Sequence, residues 1–215
     1  FVSDSYLSEY VVQNGTQNFL GSYATYPLLK GMKSNLYKCF ITRSWEIGSG
    51  RGFIGLLHPE GIYDDPRGGE LRAAVYPRLK GHFQFINELS LFPEVHHLVK
   101  YSVNIYSSAA QSGSVSGSHM SNLFHPSTIG QSIKHDGHGA VPGIKDEENH
   151  WNLRPHRNRL IHIGKSRLET LARLYDTPGT LPLQARLPVV HSEEVVSVLE
   201  KFAEQPRRLS NLEGD

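Results

Sequence analysis

Between Gly52 and Pro59 the chain reads Gly-Phe-Ile-Gly-Leu-Leu-His-Pro, an apolar run of strand length closed by a proline. A run with so little polar alternation fits a strand covered by helices on both faces. Its surroundings extend that reading. Upstream, Ser34 caps a predicted helix to about Trp45, with Leu36, Tyr37, Phe40, Ile41 and Ser44 on one face. The glycine cluster from Gly48 to Gly52 ends it. Phosphate cradles follow a strand and open a helix, and here that order is reversed, so the cluster reads as a cap and turn. Downstream comes a loop, Glu60 to Gly69, with Glu60, Asp64 and Asp65 beside Pro66. A helix with Leu71, Val75 and Leu79 in register follows. Two strand-like runs close the stretch, His82 to Leu89 and Val99 to Tyr106, the latter alternating Val103 and Ile105 with Ser102 and Asn104. Such a succession is the usual ending of an open α/β sheet. The loop at 60–69 leaves the carboxyl end of a buried strand, where such sheets place their ligands.

Composition narrows the class. With a formal net charge of +1, the chain has no general attraction to nucleic acid or anionic membrane, so such contacts must come from local patches. One cysteine in 215 residues excludes a disulfide framework and a cysteine-rich zinc site, and suits a reducing, cytoplasmic setting. No apolar run approaches the ~20 residues that a membrane span needs. Before Ser34 the chain is polar and aromatic. A short helix is expected over Ser3 to Val12, with turns at Asn14-Gly15 and Gly21-Ser22.

Ala109 to Ser118 is small and polar, the composition of a flexible linker, which predicts a domain boundary at 108–118. Histidines are dense beyond it, at His119, His125, His135, His138, His150, His156 and His162. His135, Asp136, His138, His156, Asn158 and His162 invite a metal-nuclease reading, but no cysteine lies nearby and the spacing fits no standard zinc pattern. Loop histidines are the simpler reading, so no metal site is assigned. Arg154, Arg157, Arg159, Lys165 and Arg167 surround a short apolar strand, Leu160 to Ile163, and form the best candidate for phosphate contact. Helices are expected over Ser166 to Leu174 and from a Ser192 cap to Phe202, the second burying Val195, Val196, Leu199 and Phe202.

Three pieces of the first half form an ordered set: Asn35-Leu36-Tyr37 with Phe40, then Gly52 to Pro59, then Phe92-Pro93 followed by Lys100-Tyr-Ser-Val-Asn-Ile-Tyr106. In order and spacing they resemble the gamma-class N6-adenine DNA methyltransferases, more closely the large methylases of type IIG restriction–modification and of BREX- or DISARM-like phage defence. The resemblance covers about residues 20–107. It implies a fold class: α/β, the C-terminal half of a class I S-adenosylmethionine-dependent methyltransferase sheet whose last two strands are antiparallel, followed by a smaller α+β region. Residues 1–107 would be that partial domain and 119–215 a downstream spacer or target-recognition region. By the same resemblance Phe40 would lie near the adenine ring of S-adenosylmethionine, with Asn35 and Tyr37 supporting its helix. Phe92, with Pro93, would stack on the target adenine once it leaves the duplex. The partners implied are double-stranded DNA and the missing N-terminal half, with no membrane.

The sequence departs from the family in two places. The glycine-containing cofactor loop is absent, and so is the Asn-Pro-Pro-Tyr or Asp-Pro-Pro-Tyr tetrapeptide that grips the target amino group. Family spacing puts both upstream of Phe1, so this chain carries no catalytic motif and is expected to be inactive alone. A missing half-sheet also predicts an exposed apolar edge at Gly52 to Pro59. The alternatives are a histidine-metal nuclease domain and a non-catalytic DNA-recognition or scaffold piece.

Overall fold

The computed structural model describes residues 2–111 and 114–206. Among these it is an α/β fold: seven α-helices with one five-stranded mixed sheet, compatible with a Rossmann-like arrangement. The strands are β1 (Phe53–Pro59), β2 (Leu79–Ile86), β3 (Lys100–Ser107), β4 (Gly117–Leu123) and β5 (Ile161–Ile163). Their order across the sheet is β1-β3-β2-β4-β5. β3 is antiparallel to both neighbours, and β4 is parallel to β2. β1, β2 and β4 therefore share one direction and end at the same sheet edge. No helix among the described residues is long and apolar enough to cross a membrane.

Helix α1 (Val2–Gly21) is twice the length expected, and Asn14-Gly15 lies inside it. Almost all of it is exposed, so no packed face marked its true length in the sequence. Helix α2 (Leu36–Ile47) is capped not by Ser34 but by Asn35, whose Oδ1 accepts the Tyr37 N–H at 3.3 Å. Its buried face is Lys38, Cys39, Ile41, Thr42 and Trp45. Leu36 and Phe40, expected on that face, are 55% and 65% exposed.

The run that opened the sequence argument is indeed a strand, but it is not covered on both sides. β1 is an edge strand with alternating burial, and Phe53 and Leu57 stand open to solvent. Beyond it come α3 (Gly61–Asp64) and α4 (Gly69–Val75), then α5 (Ser127–Lys134), α6 (Lys165–Tyr175) and α7 (Glu193–Glu204). Ser192 is the N-terminal residue flanking α7, as expected, yet Val196 and Ala203 are its buried residues and Val195 and Phe202 are exposed.

The expected boundary at 108–118 does not divide the sheet. β4 begins at Gly117 and pairs with β2 through Gly81↔Ser118, His82↔His119 and Phe83↔Met120. The larger core likewise runs from Leu29 through Leu79 and Ile161 to Val196. A strap at 182–190 stitches the two halves together. Arg72 Nε donates to Gln184 O at 2.9 Å, Tyr76 OH to Ala185 O at 2.7 Å and Leu187 N–H to Tyr63 O at 3.0 Å. Small polar residues read as linker because glycine and serine suit both a coil and a strand squeezed between neighbours. A Cβ at Gly117 would come within 2.9 Å of Leu79 O.

Candidate functional site

The two faces of the sheet differ in chemistry. One carries Phe85, Tyr101, Met120 and Leu123, a small apolar cluster against which Phe83, Leu91 and Ile129 pack. The other carries side chains that register brings into rows: His58, Ser102 and Gln84 across β1, β3 and β2, then Asn104, His82 and His119 across β3, β2 and β4. All six are buried. Because strand side chains alternate, Ser102 and Asn104 face inward while Val103 faces outward, 36% exposed.

These buried polar groups satisfy one another. His58 Nδ1–H donates to Pro59 O at 2.8 Å, which leaves Nε2 to accept the Tyr106 hydroxyl at 3.0 Å. Tyr63 OH donates to Asn104 Oδ1 at 2.5 Å, and Asn104 Nδ2 donates to Ser102 Oγ at 2.7 Å. Ser102 in turn bonds to Glu60. His82 Nε2 lies 3.1 Å from Glu60 Oε1 and His82 Nδ1 lies 2.8 Å from His119 Nδ1. Helices seal the network: the Tyr37 ring from α2 stacks on His58 at 5.7 Å, and the Tyr63 ring from α3 sits 4.2 Å from His82.

Burial sets the charge states. It lowers His58 to about 4 and, with the His82 charge, His119 to about 3. Burial alone would raise Glu60, but the charge and hydrogen bond of His82 and the bond from Ser102 carry its carboxyl below the ordinary value. An ionised Glu60 takes the His82 Nε2–H. His82 Nδ1 and His119 Nδ1 share one hydrogen bond, which leaves His119 Nε2 as the remaining ring nitrogen of the cluster. That atom has no partner among the described residues. The strand side chains of the cluster are closed to solvent, and Glu60 is part-buried at its margin. His58 and His82 lay within strand-like runs in the sequence and His119 just past the expected linker, and their facing a single layer depended on a strand order that spacing does not reveal.

The residues singled out from the sequence are placed otherwise. Phe92 and Pro93 lie in the exposed loop after β2, at the carboxyl edge of β1, β2 and β4. The Phe92 ring is 39% exposed and meets Tyr101 edge-on at 5.1 Å, and Tyr101 lies parallel to Phe85 at 5.6 Å. Phe92 is thus held against an aromatic platform while partly exposed. Phe40 is 65% exposed on α2. Asn35 is committed to its cap, and Tyr37 is half-buried on His58 with its hydroxyl pushed up to about 12 by burial and by Asp64, Asp65 and Glu60.

The five basic residues do not form one patch. Arg159 is buried and donates to Ser121 O, Asn122 O and Arg154 O, which makes it an internal clamp. Arg167 is held by Glu193 at 2.6 Å. Arg154, Arg157 and Lys165 remain exposed. The histidines considered for a metal also separate: His135 and His156 rings meet at 4.7 Å, but His156 Nε2 is bonded to Gly139 O, and His162 stands exposed on β5. Among the described residues the group close enough to share an ion is instead Asp146, Glu148 and His150. There the Asp146 carboxylate already accepts the backbone N–H groups of Glu148 and His150, as turn-forming aspartates do.

No protein-family model matches the chain, and no curated protein matches it.

Proposed function

We propose that the chain is part of a site-specific DNA adenine-N6 methyltransferase of a restriction–modification or phage-defence system, whose whole protein moves a methyl group from S-adenosylmethionine to an extruded adenine. The observation that carries this reading is Phe92, a half-open aromatic ring on an aromatic platform at the carboxyl edge of the parallel strands. An extruded base loses its stacking neighbours, and an exposed ring replaces them for about 1–3 kcal/mol.

Two features of the fold support it. The antiparallel pair β2 and β3, with β1 outside β3, fits the antiparallel pair that the resemblance implies, and β4 and β5 extend the sheet beyond β2. The open edge of β1, with Phe53 and Leu57 exposed, offers hydrogen-bonding groups and apolar surface to further strands, the role assigned to an N-terminal half. Beside it Phe40 supplies a stacking surface for the cofactor's adenine. S-adenosylmethionine when bound would supply the methyl group, and Phe92 would hold the acceptor base.

The test is methyl transfer from radiolabelled S-adenosylmethionine to genomic DNA by the intact gene product that contains this chain. Label should appear on adenine N6, and Phe92→Ala should lower kcat/KM by ~10–100-fold, the worth of one stacking contact. Absence of label on adenine would reject the reading.

A further inference from the structure

The loop that carries Phe92 is built around one buried side chain. Asn87, fully buried just after β2, donates from Nδ2 to Phe92 O at 2.9 Å and to Val95 O at 2.7 Å. Its Oδ1 accepts the Phe92 N–H at 3.0 Å. The Asn87 backbone N–H reaches Val99 O at 3.1 Å and its carbonyl accepts the Ser90 N–H at 2.8 Å. One residue thus fixes the beginning, middle and end of the loop from 87 to 99.

The surface of this loop needs such an internal frame. Leu89, Phe92, Val95, Leu98 and Val99 are each 38% exposed or more, so burial of their side chains does little to hold them. Ser90 turns through the left-handed region at φ 50. Without its frame the segment would be an open apolar loop, and ordering it on binding would cost affinity. Asn is the side chain of this length that both donates two hydrogens and accepts one, which the three bonds to Phe92 and Val95 demand.

We propose that Asn87 is the positioning residue for Phe92: it holds the ring in its stacking pose before any base arrives. This rests on the base-stacking reading above, and the experiment separates the two. The probe is a DNA duplex with 2-aminopurine opposite an abasic site, where extrusion needs no recognition sequence, compared with the fully paired duplex. The expected outcome is preferential binding of the first, read by 2-aminopurine fluorescence and anisotropy. Phe92→Ala should abolish the preference. Asn87→Ala should lower it roughly tenfold by removing pre-organisation, while paired-duplex binding stays unchanged, since Asn87 is buried and touches no DNA. No preference in the native chain, or one that survives Phe92→Ala, would overturn the stacking reading and this proposal with it. A preference lost in Phe92→Ala but kept in Asn87→Ala would overturn the role of Asn87 alone. Should Asn87→Ala fail to fold, Asn87→Asp keeps the acceptor for Phe92 N–H but loses both donors and should show the same loss. On the unaltered protein, the Phe92 amide should exchange its hydrogen far more slowly than an unprotected amide, and free exchange there would also overturn the proposal.

Discussion

His58 and His119 lie in an interior that rejects protons. An unfolded histidine takes one up near 6.5, whereas His58 in the fold does so at about 4 and His119 at about 3. The unfolded state therefore binds more protons across this interval, so stability is complete above pH 6.5 and falls as the pH drops toward 4 and then 3. His58 alone accounts for about 3 kcal/mol of that loss, at ~1.4 kcal/mol for each pKa unit. Denaturant midpoints measured from pH 8 to pH 3.5 should trace the decline, and His58→Gln should flatten it. Tyr101 gives a contrasting case. Its hydroxyl is buried with no partner among the described residues. Tyr101→Phe should leave the protein as stable or raise its stability by up to about 1 kcal/mol, because an unsatisfied buried group is removed while the Phe85 stack stays. A melting temperature lowered by several degrees would show that the hydroxyl has a role after all.

Among the elements, β1 tests how an open edge is tolerated. Leu57 is 53% exposed and Phe53 71%, on a strand with a neighbour on one side only among the described residues. A Phe53→Lys, Leu57→Lys double variant should keep the melting temperature and reduce self-association, read by sedimentation at increasing concentration. The same strand shows what the sequence could convey. Its length and closing proline were legible, because composition and punctuation are local. Its place at the edge was not, because that depends on which strands lie beside it. The same limit applied to Ser102 and Asn104. Their alternation with Val103 and Ile105 was plain, but the polar side is the buried one. Normal hydrophobic patterning reverses here because His58, Glu60, His82 and Tyr63 arrive from other segments to satisfy it. From the sequence Phe92 could be placed in a loop at the sheet edge, where by itself it reads as a packing residue, and only the resemblance gave it a stacking role. Asn87, which frames its loop through backbone carbonyls, carried no pattern of its own.

For the molecule as a whole, the strap at 182–190 makes the two halves interdependent. Arg72 is almost fully buried, and its guanidinium reaches Ile62 O, Asp65 O and Gln184 O. Arg72→Met should cost on the order of 3 kcal/mol by leaving carbonyls without donors, measurable by urea denaturation. A chain cut after residue 108 should lack cooperative unfolding and native near-ultraviolet circular dichroism, since β4 and the strap are part of the same core. A sharp transition in that shorter chain would argue for a self-sufficient first half. The sheet order also bears on synthesis. Among the described residues β1 pairs with β3 alone, whose last residue, Ser107, follows Pro59 by dozens of positions. On the ribosome the side of β1 that meets β3 must therefore wait, with Phe53 and Leu57 already exposed, until β3 has been made. Throughout that delay it is the part of the nascent polypeptide most open to capture by a chaperone or by another copy of itself.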